Sequence, residues 1–154
     1  MKKVFMLFAL MMAFVTFASA QRTEISLSAS DKRELMGEIE LPIENLILNF
    51  NGRFSGARID HVYRISNSEV LVTGIVDYHT KKCGDVSTDF RVVITKDNSG
   101  IYAKPNIYTP YCIRVRQKHI VTKHEWDDVG KSSQIKLRDV AEFAANIILN
   151  RIFN

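Results

Sequence analysis

Over residues 57–121 apolar and polar residues alternate with a period of two, interrupted at intervals by turn-forming residues. That period requires antiparallel strands with one dry and one wet face, and the rest of the chain must pack against them. Ile59, His61, Tyr63 and Ile65 alternate with Asp60, Val62, Arg64 and Ser66. After Asn67-Ser68, a run from Glu69 to Thr80 is rich in β-branched residues. With Asn67-Ser68 as a tight turn, Ile65 faces Val70, Tyr63 faces Val72, His61 faces Gly74 and Ile59 faces Val76, all on one side. A second hairpin centred on Cys83 sets Tyr78 against Thr88, Val76 against Phe90, Gly74 against Val92 and Val72 against Ile94. Asp97-Asn98-Ser99-Gly100 is a strong turn and aligns Ile94 with Ala103. Pro105 and Pro110 confine the stretch that follows to an edge or a loop. A last strand over 111–121 points Tyr111, Ile113 and Val115 inward and Cys112, Arg114, Arg116 and Lys118 outward.

Helical signals flank this region. Ser30-Asp31 with Glu34 forms a capping-box pattern, and the helix it opens is expected to break at Glu40-Leu41-Pro42. A second helix begins at Pro42, gathers Ile43, Leu46, Ile47 and Phe50 on one face, and stops at Gly52. Ile25 and Leu27 alternate with polar residues, as in a short strand. Near the C-terminus, Ser132 or Ser133 caps a helix whose stripe is Val140, Phe143, Ala144 and Ile147, widened by Leu137, Ile148 and Ile152. The sum is an α+β fold: an antiparallel meander sheet of about four to five strands with N-terminal and C-terminal helices packed on one face. By fold-level analogy alone this is a cystatin-like roll, and the analogy carries no function.

The N-terminus reads as an export signal. Lys2 and Lys3 precede an apolar run from Val4 to Phe17, and Ala18-Ser19-Ala20 supplies the small residues of a cleavage site. A run of about 14 residues is short of the ~20 a membrane span needs. The expected organisation is therefore a leader over 1–20 and one α+β domain over 21–154, with no transmembrane segment after cleavage and a periplasmic or secreted destination. Without Lys2 and Lys3, 19 of the 21 basic residues stand against 17 acidic ones, so the domain is close to neutral. An exported chain meets oxidising conditions, and Cys83 and Cys112 are its only cysteines, so they are expected to form a disulfide.

No motif specifies a chemistry. The chain has no Gly-x-Ser-x-Gly elbow, no phosphate-cradling glycine loop and no His-Glu-x-x-His. His79, Cys83, His119 and His124 lack the close spacing of a metal site, and no cofactor is implied. His61 is placed on the core face opposite Gly74, with Tyr63 one step away. The plain interpretation is a buried histidine bonded to a carbonyl; the sharper one is an acid or base lining a pocket. The collective signal is basic: Arg114, Arg116 and Lys118 share one strand face with Cys112, and a bond to Cys83 tethers Lys81 and Lys82 beside them. Tyr102, Tyr108 and Tyr111 lie near, and rings beside cations suit sugars or acidic polymers. The plainer alternative is an edge strand that uses charge to block aggregation.

The expectation that follows is a non-enzymatic exported binding or accessory domain. Its partner is an envelope protein or an anionic polymer or lipid surface, met through Lys81, Lys82, Arg114, Arg116 and Lys118. Two alternatives stand beside it. One is a small hydrolase or isomerase with His61 and Tyr63 in a cavity between sheet and helices. The other is a structural subunit that forms a homodimer through its C-terminal helix.

Overall fold

The computed structural model describes residues 22–128 and 134–154. The leader expected over 1–20 and the cap expected at Ser132 or Ser133 lie outside them. The elements run β1 (Thr23–Glu24), α1 (Ala29–Asn49), β2 (Arg53–Ser66), β3 (Glu69–Thr80), β4 (Gly84–Lys96), β5 (Gly100–Val115), β6 (Lys118–Asp128), β7 (Ile135–Asp139), α2 (Val140–Phe143) and α3 (Ile147–Phe153). The strands form one antiparallel sheet in the order β1-β2-β3-β4-β5-β6, with β7 paired to β5. The α+β class stands, with seven strands in place of four to five.

One helix replaces the two expected at the N-terminus. It opens earlier, at Ser28, whose hydroxyl accepts from the Asp31 amide while the Asp31 carboxylate accepts from the Ser28 amide, both at 3.1 Å. These bonds, with Arg151 nearby, hold the Asp31 carboxyl below its ordinary range. Pro42 does not break the helix. Leu35, Met36, Ile39, Pro42, Ile43, Leu46 and Ile47 form one continuous buried stripe, so tertiary burial on both sides of the proline outweighs the backbone bond it cannot make. The helix ends in a Schellman motif: Gly52 N–H donates to Ile47 O, Asn51 N–H donates to Leu48 O, and Asn51 takes the left-handed conformation at φ 56°. Asn51 thus supplies the turn assigned to Gly52. Gly52 is needed for space, since a Cβ there would lie 2.8 Å from Ile47 Cγ2.

The β2–β3 hairpin does turn at Asn67-Ser68, with Ser66 opposite Glu69, but its register differs from the count. Irregularities at Ile65, Asp60 and Ser55 each insert a residue into β2, so Val62 faces Val72, His61 faces Thr73 and Ile59 faces Gly74. A one-residue slip exchanges the faces of a strand. Val62 is therefore buried, while His61 and Tyr63 are turned away from the core. Gly74 leaves no room for an imidazole: a Cβ there would lie 2.0 Å from the Arg58 carbonyl oxygen.

The β3–β4 hairpin slips by two, with Gly74 opposite Phe90 and Tyr78 opposite Val86. An even slip keeps the faces, and Val72, Val76, Phe90, Val92 and Ile94 all join the core. At the next turn Ile94 does face Ala103. The Asp97 carboxylate accepts from the Ser99 hydroxyl and from the Ser99 and Gly100 amides there, which holds its carboxyl below the ordinary range.

Both prolines sit inside β5. Beside β5, β7 covers 100–103 and β6 covers 106–115, while β4 stops at Ile107. Pro105 falls in the gap between β7 and β6, and Pro110 lies beyond the end of β4, so each stands where β5 has a single neighbour. The single C-terminal helix is also replaced. Ile135–Asp139 is a strand, and α2 and α3 are separate short helices. Phe143, Ile148, Leu149, Ile152 and Phe153 join the chain's own core, leaving Val140 and Ile147 exposed. The wide stripe that suggested a dimer is thus covered only in part: Phe143, Ile148 and Ile152 are buried within the molecule, while Val140, Ala144 and Ile147 stay exposed. Glu38 of α1 ties these ends together, accepting two bonds from Arg138 of β7 and one from Asn146 at the start of α3.

Candidate functional site: a disulfide-tethered basic arm

Beyond Ile107, β5 leaves β4 and continues with β6 as a two-stranded arm. The pairing runs from Tyr108 opposite Trp126 to Val115 opposite Lys118. The strand expected over 111–121 is thus a hairpin. Arg116 and Gln117 form its turn at φ 47° and 66°, two left-handed residues in succession as in a type I′ turn. Neither is Gly, Asn or Asp, so the sequence gives no turn signal there.

One cross-link fixes the arm to the body. Cys83 and Cys112 form the expected disulfide, with Cα atoms 5.3 Å apart. The His119 ring nitrogen Nδ1 lies 2.7 Å from the Lys82 carbonyl oxygen, a second tie between the arm and the β3–β4 loop. Gly84 takes the left-handed conformation at φ 73° in that loop, with the His119 ring beside it.

The five predicted cations meet around the arm, though not on one face. Alternation along β5 puts Arg114 on the side of Cys112. Lys118 lies opposite Val115 and so occupies the other side, while Arg116 sits in the turn. Lys81 and Lys82 are drawn up by the disulfide. Lys123, opposite Tyr111 with its ammonium 4.8 Å from the ring, belongs to the same group. From Tyr108 to His124 there are four Lys and Arg residues and no Asp or Glu. That silence of carboxylates was legible in the sequence and marks the arm better than any single residue.

The apolar residues of the arm are the larger surprise. Tyr111, Ile113 and Val115 were assigned inward; they continue the core-facing row of β5 past the point where anything covers it. Ile113 and Val121 are 51% exposed, Val115 and Ile120 44%. At the arm's root, Tyr108 stacks with His124 at 5.0 Å and tilts against Trp126 at 5.2 Å, and Arg91 lies 4.3 Å from the Trp126 ring centre. Tyr111 donates to Asp127 at 2.5 Å, and that carboxylate pushes its hydroxyl up to about 12.

The His61 and Tyr63 pair forms no pocket. The rings stack at 5.8 Å on the outer side of β2, and His61 Nδ1 lies 2.6 Å from Glu24 Oε1. A groove of about 530 Å³ does open where the arm diverges from β3 and β4, but its walls are Phe50, Tyr78, Thr109, Pro110, Tyr111 and the disulfide. An acid-base reading of His61 therefore loses its cavity. His79 sits beside Asp85 at 2.8 Å. Among the described residues no three His, Cys, Asp or Glu side chains are grouped to hold a metal ion, and no helix is long and apolar enough to cross a membrane.

No family model, curated protein or solved structure matches this chain.

Proposed function

We propose that the protein is an exported binding domain that holds an anionic partner on the basic arm, through Lys81, Lys82, Arg114, Arg116 and Lys118. The observation that carries this reading is the concentration of cations, without one intervening carboxylate, on a protruding hairpin anchored by a disulfide. The chain as a whole is close to neutral outside its first residues, so a local field of one sign is a property of the arm. An edge strand guarded against aggregation needs a lysine or two. A cross-link that brings a second lysine pair to the same place goes beyond that need. The disulfide also argues for a periplasmic or secreted setting, where such bonds persist.

The reading is tested by retention on heparin at rising salt. Exposed cations are screened within about 10 Å at 0.1 M salt. The expected result is binding at low salt that falls steeply with ionic strength, and earlier elution of a variant with Lys81, Lys82, Arg114, Arg116 and Lys118 changed to Gln. Flow-through of the unaltered protein at low salt, or identical elution of the two proteins, would remove it.

A further inference from the structure

The anionic partner can be named more closely, and the inference rests on the reading just given. We infer that the arm docks on an anionic lipid bilayer, laying the face formed by Tyr111, Ile113, Val115 and Ile120 into the headgroup boundary.

The argument begins with what a polyanion leaves unexplained. Cations alone satisfy a sulfated or phosphorylated chain, and such a partner has no use for half-exposed aliphatic side chains between them. On this arm the two are interleaved. Ile113 stands opposite Ile120, and Val115 opposite Lys118, so one face carries an aliphatic cluster with Lys118 at its tip and Lys123 behind it. Arg114 and Arg116 flank it from the other side and from the turn. A bilayer surface presents both chemistries within a short depth: anionic headgroups, and acyl chains about 5–10 Å beneath them. Long Lys and Arg side chains can keep their charge at the headgroups while the aliphatic residues between them go deeper. A row of Ile and Val left open to water has an obvious cost, which burial in acyl chains removes.

One further feature fits the same partner. The acidic residues Glu125 and Asp127 stand at the root of the arm, Glu125 paired to Lys123 and Asp127 bonded to Tyr111, so from Ile113 to Ile120 no carboxylate interrupts the docking face.

The experiment compares the exported protein, freed of the leader over 1–20, with its Ile113→Ser/Ile120→Ser variant, which keeps every cation. The apolar run near the N-terminus is then absent from both and holds neither to vesicles. Each is sedimented with phosphatidylglycerol vesicles and with phosphatidylcholine vesicles. Heparin elution is measured in parallel. The inference expects preference for the anionic vesicles and roughly a tenfold or greater loss of vesicle binding in the variant, in line with the apolar surface removed, at unchanged heparin elution. Equal vesicle binding by the two proteins would mean that charge alone holds the arm, and would overturn bilayer docking while leaving the anionic partner intact. Heparin retention without vesicle binding would also overturn it, in favour of a polymer or an acidic protein. Loss of both in the unaltered protein would sink the reading on which the inference rests.

Discussion

Substituting Gly74 tests the register from which every facing assignment in the sheet follows. The irregularity at Asp60 brings β2 close to β3, and an alanine Cβ at position 74 would meet the Arg58 carbonyl oxygen at 2.0 Å and Phe90 Cε1 at 2.8 Å. Ordinary contact begins near 3.4 Å, so the backbone of β2 must move by more than an ångström or the sheet must open. Overpacking of this kind costs about 1–3 kcal/mol, and here the obstacle is backbone, which cannot rotate away. The entropic gain from removing a glycine offsets roughly 0.4–1 kcal/mol. A net loss of about 2 kcal/mol corresponds to a fall in Tm of roughly 8 °C for a chain of this size. Gly37, in the middle of α1, is the control: no atom lies within 4 Å of a Cβ there, and alanine is expected to stabilise by about 0.5–1 kcal/mol. Thermal unfolding of both variants by circular dichroism gives the answer. In a plain two-residue hairpin Gly74 would face His61 across open space, and Gly74→Ala would be neutral or stabilising. A Tm for Gly74→Ala at or above that of the unaltered protein would therefore refute the bulged register.

Three other outcomes are expected. Cys83→Ser/Cys112→Ser opens a cross-link spanning 29 residues, worth about 3–4 kcal/mol of chain entropy, and should lower Tm and also move heparin elution to lower salt as the arm loses Lys81 and Lys82. Tyr78 is buried and, among the described residues, its hydroxyl has no hydrogen-bond partner; Tyr78→Phe should raise stability, by about 1 kcal/mol on denaturant unfolding. Asp31 and Asp97 both have lowered folded pKa values, so their contribution is present above the unfolded value near 4 and is lost as pH falls through the folded one; Asp31→Asn/Asp97→Asn should flatten the acid limb of a stability–pH curve below about pH 4.

What the sequence disclosed depended on whether a local cause was sufficient. The turn at Asp97–Gly100 was legible because the Asp97 side chain itself makes the turn. The β3–β4 hairpin was misplaced by two residues, yet its core residues were right because parity survived. In β2 the same counting failed: a bulge leaves no mark in an alternation that Ile59, Val62 and Ile65 satisfy in more than one way. Pro42 gave a strong local signal for a break and was overruled by Ile39 and Ile43 packing on either side of it. The C-terminal stripe concealed a strand, because Ile135, Leu137 and Arg138 fit either period until β5 offers an edge to pair with. At the candidate site, the cysteine pair and the cations could be found by residue type. The exposure of Ile113, Val115, Ile120 and Val121 could not, since aliphatic alternation reads as a buried face whether or not anything covers it.

Hydrogen–deuterium exchange of the protein with and without an anionic ligand bears most directly on the claim that the arm is the contact surface. Slower exchange is expected over 108–126 and at the Lys81-Lys82 loop, with β2 around His61 and Tyr63 unchanged. Protection confined to β2, or spread evenly with none on the arm, would contradict it.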